Sequence, residues 1–388
     1  MLKIALVVGE SSGDKLGAAL IDGFDEILIA PAEFIGIAGP LMMDRGMDSL
    51  FDMSELSVMG IGEILGQYLH LRKHLKQTVQ FILDQKPDVL ITIDAPEFSL
   101  RLAKEVKAKS NIPTVHYVAP TVWAWRPKRA AKMARYIDHV LALFPFEPPL
   151  MIAEGMTCDF VGHPVSHDQI ATPEEAAHFR FAFGLNDGPV GLCLPGSRNS
   201  EIRCMGSIFG KTLEKVAQTR PDIQWILPAA PHVAGAVRQM IEDWPVKPIL
   251  LDPREVDAKT AAADKRAAFR CADLALAASG TVSLELAAND TPMVIAYDMP
   301  WLSRQIIGRL LLVDTVTLIN LVTNTRYVPE FIGDTCKPEL IAPALVSVLN
   351  NAHNQRLAME TTMRSLGRNE KTPGIRAALS VMQFLSKR

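Results

Sequence analysis

The feature that most constrains this chain is a recurring pattern of a short apolar strand, a turn of small residues and a helix. The pattern is clearest at 194–201, Leu-Pro-Gly-Ser-Arg-Asn-Ser-Glu, and again at 278–285, Ala-Ser-Gly-Thr-Val-Ser-Leu-Glu. Strands that alternate with helices in this way form parallel sheets with helices on both faces. The sequence therefore predicts an α/β protein whose ligands bind beyond the carboxyl ends of its strands.

Periodicity and turn signals divide the chain into two such halves. Predicted strands lie near 2–8, 34–37, 88–93, 113–118, 138–142 and 158–161, and then near 189–194, 223–228, 248–251, 273–278 and 292–297. Predicted helices lie near 12–23, 62–85, 98–109, 128–136, 200–219, 231–243, 282–289, 301–312, 338–351 and 375–385. With 388 residues the chain is long enough for two domains. A Gly-His-Pro connection at 162–164 predicts a first domain over 1–163 and a second over 164–372.

Composition excludes several classes of protein. The net charge of −3 argues against a nucleic-acid-binding protein. No apolar run approaches the about 18 residues that a membrane span needs, and the first residues are typical of a strand rather than a signal peptide. The five cysteines lack CxxC spacing, which is typical of reduced thiols in a cytoplasmic protein. No cluster of ligating residues stands out, so we expect neither a metal site nor a cofactor.

The turns of the second half indicate a site for a nucleoside diphosphate. Each turn exposes backbone N–H groups at a helix N-terminus, where the helix dipole favours an anion. Arg198 adds a guanidinium fork that suits phosphate oxygens. Glu201 is placed either to orient Arg198 or to act as the glutamate of a capping box with Arg198 or Arg203. Glu285 follows the second turn and is predicted to accept hydrogen bonds from ribose hydroxyls. The alternative is that 195–198 is an ordinary start of a surface helix.

The first half has its own turns at the ends of strands. Gly-Glu-Ser-Ser-Gly-Asp at 9–14 lacks the GxGxxG spacing, which disfavours a dinucleotide-binding enzyme. Ser11 or Ser12 is predicted to cap the helix that follows. Asp94 comes directly after a buried strand and is a candidate general base. The alternative is that Asp94 is an N-cap, because Pro96 begins the next helix.

Two segments combine apolar and basic side chains in a way that suits a membrane surface. In the helix near 62–85, Leu69 and Leu71 lie off the core stripe among cations. The predicted membrane patch consists of Leu65, Tyr68, Leu69, Leu71, Arg72 and Lys73. Trp123 and Trp125 precede five cations at 126–135 and are predicted to face anionic headgroups. The alternatives are an ordinary buried helix with a basic end, and a solvated helix beside two core tryptophans.

Nine short motifs occur in an order that resembles one family, the lipid-A-disaccharide synthases. They are Gly-Glu-Ser-Ser-Gly-Asp at 9–14, Gly-Ile-Ala-Gly-Pro at 36–40, Val-Met-Gly-Ile at 58–61, Ile-Asp-Ala-Pro-Glu-Phe at 93–98, His-Tyr-Val-Ala-Pro-Thr-Val-Trp-Ala-Trp-Arg at 116–126, Phe-Val-Gly-His-Pro at 160–164, Leu-Pro-Gly-Ser-Arg at 194–198, Ser-Gly-Thr at 279–281 and Leu-Ile-Asn-Leu at 318–321. The match covers roughly residues 1–325 and fades after about 330. The resemblance implies a glycosyltransferase of the GT-B fold, with two Rossmann-like domains that face each other across a cleft.

The resemblance also implies an activity and its residues. The family joins UDP-2,3-diacylglucosamine to 2,3-diacylglucosamine 1-phosphate, releases UDP and requires no metal. Catalysis would fall to Asp94 as general base and to Glu10, with Ser11, Ser12 and Gly13 near the acceptor. The UDP-binding residues would be Ser197, Arg198, Glu201, Ser279, Gly280, Thr281, Glu285 and Asn320. The helix at about 373–388 would return to the first domain, and the protein would sit on the cytoplasmic face of the inner membrane as a monomer or a homo-oligomer.

Two other classes of function stay open at this point. Another GT-B enzyme that acts on a UDP-sugar, such as a 2-epimerase or a transferase with a water-soluble acceptor, would keep the same nucleotide site. A non-catalytic protein that binds a lipid or a nucleotide would have the same fold but no transferase activity. The segment 252–270 looks long for the family, and it is predicted to be an exposed loop followed by a helix.

Overall fold

A computed structural model of the chain describes residues 1–56, 64–124, 128–299 and 312–388, and of 64–68 it describes the backbone. These residues divide into two compact units. The first unit consists of Met1–Pro164 together with Leu366–Arg388, and the second of Val165–Ser365. None of the helices in these ranges combines the length and the apolar composition that crossing a bilayer requires.

The first unit contains a six-stranded parallel sheet. Its strands are β1 (Lys3–Val8), β2 (Glu33–Ile37), β3 (Val89–Ile93), β4 (Thr114–Tyr117), β5 (His139–Ala142) and β6 (Thr157–Phe160). Its helices are α1 (Ser11–Ile27), α2 (Pro40–Met43), α3 (Ile64–Gln85), α4 (Pro96–Lys107), α5 (Lys128–Met133) and α6 (Pro148–Ile152), with a 3-10 turn at Met53–Leu56. Every residue of β3 is buried, as expected of a strand covered on both faces.

The order of these strands creates a reversal beside β1. The strand order of the sheet is β2-β1-β3-β4-β5-β6. After β1 the chain adds β2 on one side, and it then returns to add β3 and the following strands on the other side of β1. In open α/β sheets, such a reversal leaves a crevice at the carboxyl ends of the two central strands. The turn after β1 and Asp94 after β3 therefore meet at this edge of the sheet.

The second unit repeats the architecture with a second six-stranded parallel sheet. Its strands are β7 (Val190–Leu194), β8 (Gln224–Pro228), β9 (Ile249–Leu251), β10 (Leu274–Ala277), β11 (Met293–Tyr297) and β12 (Glu330–Ile332). Its helices are α7 (Pro173–Ala182), α8 (Asn199–Ala217), α9 (Ala234–Glu242), α10 (Ala258–Cys271), α11 (Val282–Ala288), α12 (Leu318–Thr323), α13 (Pro338–Asn350) and α14 (His353–Ser365). The order β12-β11-β10-β7-β8-β9 places the reversal between β7 and β10.

Several elements differ from the sequence-based prediction. The helices at Pro173–Ala182 and His353–Ser365 and the strand at Glu330–Ile332 were not predicted. The first of these helices begins with a capping box in which Thr172 and Glu175 bind each other's backbone N–H, a start signal hidden in a stretch that resembled a linker. The helix predicted near 301–312 lies almost wholly outside the described residues.

The last helix, α15 (Pro373–Ser386), belongs to the first unit, where it packs against α1. The two helices touch backbone to backbone. A Cβ added to Gly374 would lie 2.0 Å from the carbonyl oxygen of Ala19, and one added to Gly23 would lie 2.3 Å from the carbonyl oxygen of Gly374. Ser380 ties the same helix to the sheet, since its Oγ donates to Asp159 at 2.6 Å.

We expect Gly374→Val to destabilise the first unit by about 1–3 kcal/mol or more, because the new side chain must displace the backbone of α1. This loss should lower the thermal unfolding midpoint by about 3–10 °C, measured by calorimetry. Gly235→Ala is the control, since its new Cβ would meet only the Arg254 Nη1 at 3.4 Å. Equal midpoints for Gly374→Val and the unmodified protein would contradict the close packing.

Candidate functional site

A cavity of about 710 Å³ lies in the second unit, beyond the carboxyl ends of β7, β8, β9 and β10. The turns after these four neighbouring strands form its walls, and α10 closes one side. Of the eight residues predicted to bind UDP, seven line it: Ser197, Arg198, Glu201, Ser279, Gly280, Thr281 and Glu285. The cavity thus lies at the strand reversal, where ligands of open α/β sheets bind.

The turn after β7 is shaped by a glycine and a glutamate. Gly196 has φ +128°, and a Cβ there would lie 2.5 Å from the Cβ of Glu201. The Glu201 carboxylate accepts from the backbone N–H groups of Ser197 at 2.9 Å and Arg198 at 3.2 Å. These two backbone N–H groups were predicted to bind a ligand anion. They instead donate to the Glu201 carboxylate, which corrects that prediction.

The side chain of Arg198 remains open to solvent. Its guanidinium contacts Glu201 through Nη1 at 3.2 Å, and the side chain is 76% exposed. A guanidinium in this position keeps N–H donors for a further acceptor, because its five donors exceed what one carboxylate oxygen can accept. Arg198 is thus the cationic side chain on the β7 side of the cavity.

The turn after β10 forms the opposite wall. Gly280 has φ +157°, and a Cβ added there would meet no atom within 4 Å, so the backbone faces open space. Glu285, in the first turn of α11, lines the cavity and pairs with Lys265 at 2.7 Å. Lys265 was missed by the sequence analysis, because its proximity to Glu285 depends on the packing of α10.

The segment 252–270, whose role the sequence left open, forms part of the cavity wall. Asp257 caps α10 by accepting from the N–H groups of Lys259 and Thr260. Asp252 pairs with Arg254 at 2.6 Å and Arg238 at 3.0 Å. The hydrogen bond from Arg254 is the main reason why the pKa of Asp252 lies well below its ordinary value.

Asn320 was predicted to contact UDP, but the structure gives it a different role. Its side chain is fully buried and is not among the residues that line the cavity. Its amide donates to the carbonyl of Val328 at 2.9 Å and to Glu330 at 2.8 Å, and its oxygen accepts from the N–H of Val328 at 3.1 Å. These bonds hold α12 against the entry to β12 and leave little capacity for a ligand.

In the first unit, Asp94 lies beside the turn that follows β1. The hydroxyl of Ser12 donates to Asp94 Oδ2 at 3.0 Å. The N-cap of α4 is Ala95, with no side-chain cap, so the carboxylate of Asp94 is not used for capping. Asp94 and Ala95 both have positive φ, +52° and +44°. Such conformations cost about 1–3 kcal/mol each and are concentrated at functional sites.

The other residues predicted near Asp94 occupy distinct positions. Glu10, not a serine, is the N-cap of α1, and it makes no side-chain cap. Glu10, Ser11 and Ser12 are exposed, whereas Gly13 is buried. A Cβ on Gly13 would lie 3.3 Å from the carbonyl oxygen of Ile93. Gly13 therefore serves the close approach of α1 to the sheet.

Other motif residues stabilise the surroundings of the site. Asp14 accepts from the N–H groups of Leu41 at 2.9 Å and Met42 at 3.1 Å, and so caps α2. His116 is buried, its Nδ1 lies 2.8 Å from Thr92 Oγ1, and burial lowers its pKa to about 4. An imidazole with this pKa is neutral near pH 7. The motif that contains His116 therefore contributes a structural hydrogen bond.

Trp123, which was predicted to face lipid headgroups, contacts other residues of the first unit. Trp123 is half-buried, packs edge-on against Phe146, and donates to Glu147 at 3.3 Å. Glu147 also accepts from two backbone N–H groups, and burial raises its pKa to about 7. Trp123 is thus part of a polar contact inside the unit, which corrects the prediction. Trp125 lies outside the described residues.

The predicted membrane patch lies on α3. Leu69 is 65% exposed, Leu71 is half-buried, and Arg72 and Lys73 are exposed. The side chains of Leu65 and Tyr68 lie outside the described part of the chain.

Comparison with known proteins identifies the family. The family model for lipid-A-disaccharide synthetase matches residues 4–378. The lipid-A-disaccharide synthase of Ruegeria pomeroyi is 51% identical over 385 residues, which cover 99% of this chain and 96% of that protein. The synthase of Rhodospirillum centenum is 41% identical over 392 residues, with coverage of 100% and 96%.

Solved structures show the same fold at low sequence identity. A UDP-GlcNAc 2-epimerase from Neisseria meningitidis, bound to UDP-GlcNAc, matches with a TM-score of 0.66 and 13% identity, covering all of both chains. MurG of Acinetobacter baumannii matches with a TM-score of 0.55 and 14% identity, covering 100% of this chain and 99% of its own. The predicted α/β fold of the GT-B class is confirmed. The chain belongs to the lipid-A-disaccharide synthetase family of glycosyltransferases.

Proposed function

We propose that this protein is an inverting glycosyltransferase that makes lipid A disaccharide 1-phosphate. The donor is UDP-2,3-diacylglucosamine, the acceptor is 2,3-diacylglucosamine 1-phosphate, and UDP is released. The observation that carries the proposal is the cavity at the β7–β10 reversal, lined by seven of the residues predicted for UDP, in a member of this family. The second unit is then the donor domain and the first unit the acceptor domain.

The second unit supplies the features that a nucleotide needs. A volume of about 710 Å³ falls within the range of small-molecule sites, about 300–1,000 Å³. Arg198 offers a planar fork for diphosphate oxygens. Lys265 holds Glu285 at the cavity wall, where the carboxylate is available to ribose hydroxyls.

The first unit supplies the base. Asp94 takes the proton from the 6-hydroxyl of the acceptor as that oxygen bonds to the anomeric carbon of the donor. The bond from this carbon to the UDP oxygen breaks in the same displacement, so the configuration inverts. The departing diphosphate carries the negative charge, which Arg198 stabilises, and the transition state has oxocarbenium character. The hydroxyl of Ser12 keeps the Asp94 carboxylate in place.

The direct test incubates the purified protein with both lipid substrates and follows the products by mass spectrometry. We expect one disaccharide 1-phosphate and one UDP for each donor consumed. The same protein with donor alone separates this reaction from the epimerase alternative, because an epimerase converts the donor without an acceptor. Formation of an epimer from donor alone, or failure to release UDP with both lipids present, would contradict the proposal.

We further propose that the part of α3 around Leu69 and Leu71 docks on the cytoplasmic face of the inner membrane. Leu69 and Leu71 supply apolar surface, and Arg72 and Lys73 lie beside them to meet anionic headgroups. Such contact would let the enzyme reach acyl chains that prefer the bilayer. The support is the exposure of Leu69 next to two exposed cations.

Replacing Leu69 and Leu71 by serine should lower binding to anionic vesicles by about 10²- to 10⁴-fold, because each leucine loses about 1.5–3 kcal/mol of apolar burial. Co-sedimentation with vesicles measures this change, and a thermal unfolding curve shows that the variant is folded. Leu357→Ser is the matched control, since Leu357 is 49% exposed on the second unit. A vesicle-bound fraction equal to that of the unmodified protein would refute the docking surface.

A further inference from the structure

Three possible metal ligands meet in the first unit, at a place that the reaction does not use. Glu55 belongs to the 3-10 turn Met53–Leu56, and His70 and His74 lie one turn apart on α3. His70 Nε2 and His74 Nε2 lie 3.0 Å and 2.8 Å from the same oxygen, Glu55 Oε2. The two nitrogens lie 2.9 Å from each other. Among the described residues, this is the group of His, Cys and carboxylate side chains with converging ligand atoms.

Hydrogen bonds alone do not account for this triangle. A neutral imidazole carries one N–H, and an ionised carboxylate carries none. If both Nε2 atoms donate to Glu55, two N–H groups are forced together across 2.9 Å. If one Nε2 is bare, its lone pair faces the lone pairs of the Glu55 oxygen. One of the three contacts is unfavourable in either arrangement, and a cation that accepts all three lone pairs removes the conflict.

We propose that Glu55, His70 and His74 bind a zinc ion. Imidazole nitrogens and a carboxylate oxygen are ordinary zinc ligands, at about 2.0–2.2 Å. In a tetrahedral site such ligands lie about 3.3 Å apart, so the observed triangle needs to open by only a few tenths of an ångström. The histidines are four residues apart, and this spacing places both on one helix face.

The surroundings favour three protein ligands with one open position. His74 is fixed, since its side chain is 8% exposed and its ring packs on Phe51 with centroids 4.1 Å apart. His70 and Glu55 are 51% and 38% exposed, which leaves the outer side of the ion to water. The ion would fasten the Met53–Leu56 turn to α3. The ion would therefore stabilise the part of α3 that also carries Leu69.

The surroundings of His74 Nδ1 determine how tightly we expect the site to bind zinc. His74 Nδ1 is buried and finds no hydrogen-bond partner within the described part of the chain. Metal-ligating histidines usually donate this second N–H, and the loss of such a partner weakens binding by about 10- to 100-fold. We therefore expect affinity in the micromolar range, about 10- to 100-fold weaker than that of a fully supported site.

The experiment titrates the full-length protein, first freed of metal with a chelator, with zinc chloride in a calorimeter. We expect one equivalent to bind, and a thermal midpoint that rises with zinc concentration, because the ion binds the folded state. His70→Gln and Glu55→Gln should each weaken binding by about 100-fold or more, since a lost ligand costs more than a lost outer partner. Both positions are partly exposed, so these variants should fold; His353→Gln, an exposed histidine of the second unit, is the control.

Cobalt provides an independent readout, because a four-coordinate ion of mixed nitrogen and oxygen ligands gives intense visible bands. We expect these bands with the unmodified protein and His353→Gln, and their loss with His70→Gln. Absence of saturable zinc binding up to about 100 μM, well above a micromolar Kd, would overturn the proposal. Equal zinc binding by His70→Gln and the unmodified protein would also overturn it. Neither result depends on transferase activity, so the outcome is separate from that of the proposed function.

Discussion

Replacing Asp94 by asparagine should lower turnover by about 10²–10⁴-fold, the usual contribution of a positioned general base. Asparagine keeps the shape of the side chain and still accepts a hydrogen bond from Ser12, but it cannot take a proton. The affinity for UDP should be unchanged, because the residues proposed to bind it all lie in the second unit. Initial rates of UDP release and calorimetric titration with UDP measure the two quantities separately.

Glu97→Gln is the matched control for this change. Glu97 lies three residues further along the same turn, and its side chain is 76% exposed, near Arg101 and Arg129. Its substitution removes one negative charge from the same surface without touching the proposed base. We expect turnover close to that of the unmodified protein. Near-normal turnover of Asp94→Asn would show that another group accepts the proton.

The second large effect is expected at Arg198. Replacing Arg198 by alanine should lower turnover by about 10²–10³-fold, because it removes a preorganised donor from the site where the diphosphate develops charge. UDP binding should weaken as well, since the same guanidinium is proposed to contact the free nucleotide. The pH dependence and the proton-transfer step should be unaffected, which distinguishes this variant from Asp94→Asn. Initial rates and UDP titrations again provide the measurements.

Two further variants sharpen the interpretation. Arg198→Lys keeps the positive charge but loses the planar fork, so we expect an intermediate loss of turnover. Arg203→Ala removes an exposed cation from the same helix, away from the cavity lining, and should have little effect. If Arg203→Ala impaired UDP binding as strongly as Arg198→Ala, general charge rather than the guanidinium of Arg198 would explain the loss.

The sequence contained enough to predict the location of both candidate sites. Parallel strands carry ligand sites at their carboxyl ends, so the turns at Gly196 and Gly280 could be assigned to one edge from their position in the pattern. Asp94 could be singled out because it directly follows a buried strand. These inferences need only the order of local elements, which periodicity and turn residues indicate.

The sequence could not show how polar groups are shared within each site. Glu201 is three residues after Arg198, a spacing that fits a capping box, yet only coordinates show that it occupies two backbone N–H groups. Asn320 lies in a family motif, but its bonds to Val328 and Glu330 depend on packing around β12. Motif membership therefore did not distinguish a ligand contact from a structural one.

The Glu55–His70–His74 cluster is a group of polar side chains that the sequence could not show to be close together. The four-residue spacing of the two histidines was visible in the sequence and would have predicted a shared helix face. The third ligand comes from a separate 3-10 turn, and its distance from α3 depends on the tertiary fold. For that reason the sequence alone predicts no metal site at this place.

The return of α15 to the first unit has a consequence for how the protein is made. Val165–Ser365 is translated before Pro373–Ser386, so the first unit lacks its last helix throughout the synthesis of the second unit. At about 5–20 residues per second, the synthesis of Val165–Ser365 alone leaves the surface of α1 around Gly23 without its partner for roughly 10–40 s. A premature stop codon near the end of the message would leave that surface permanently uncovered and open to chaperones and proteases.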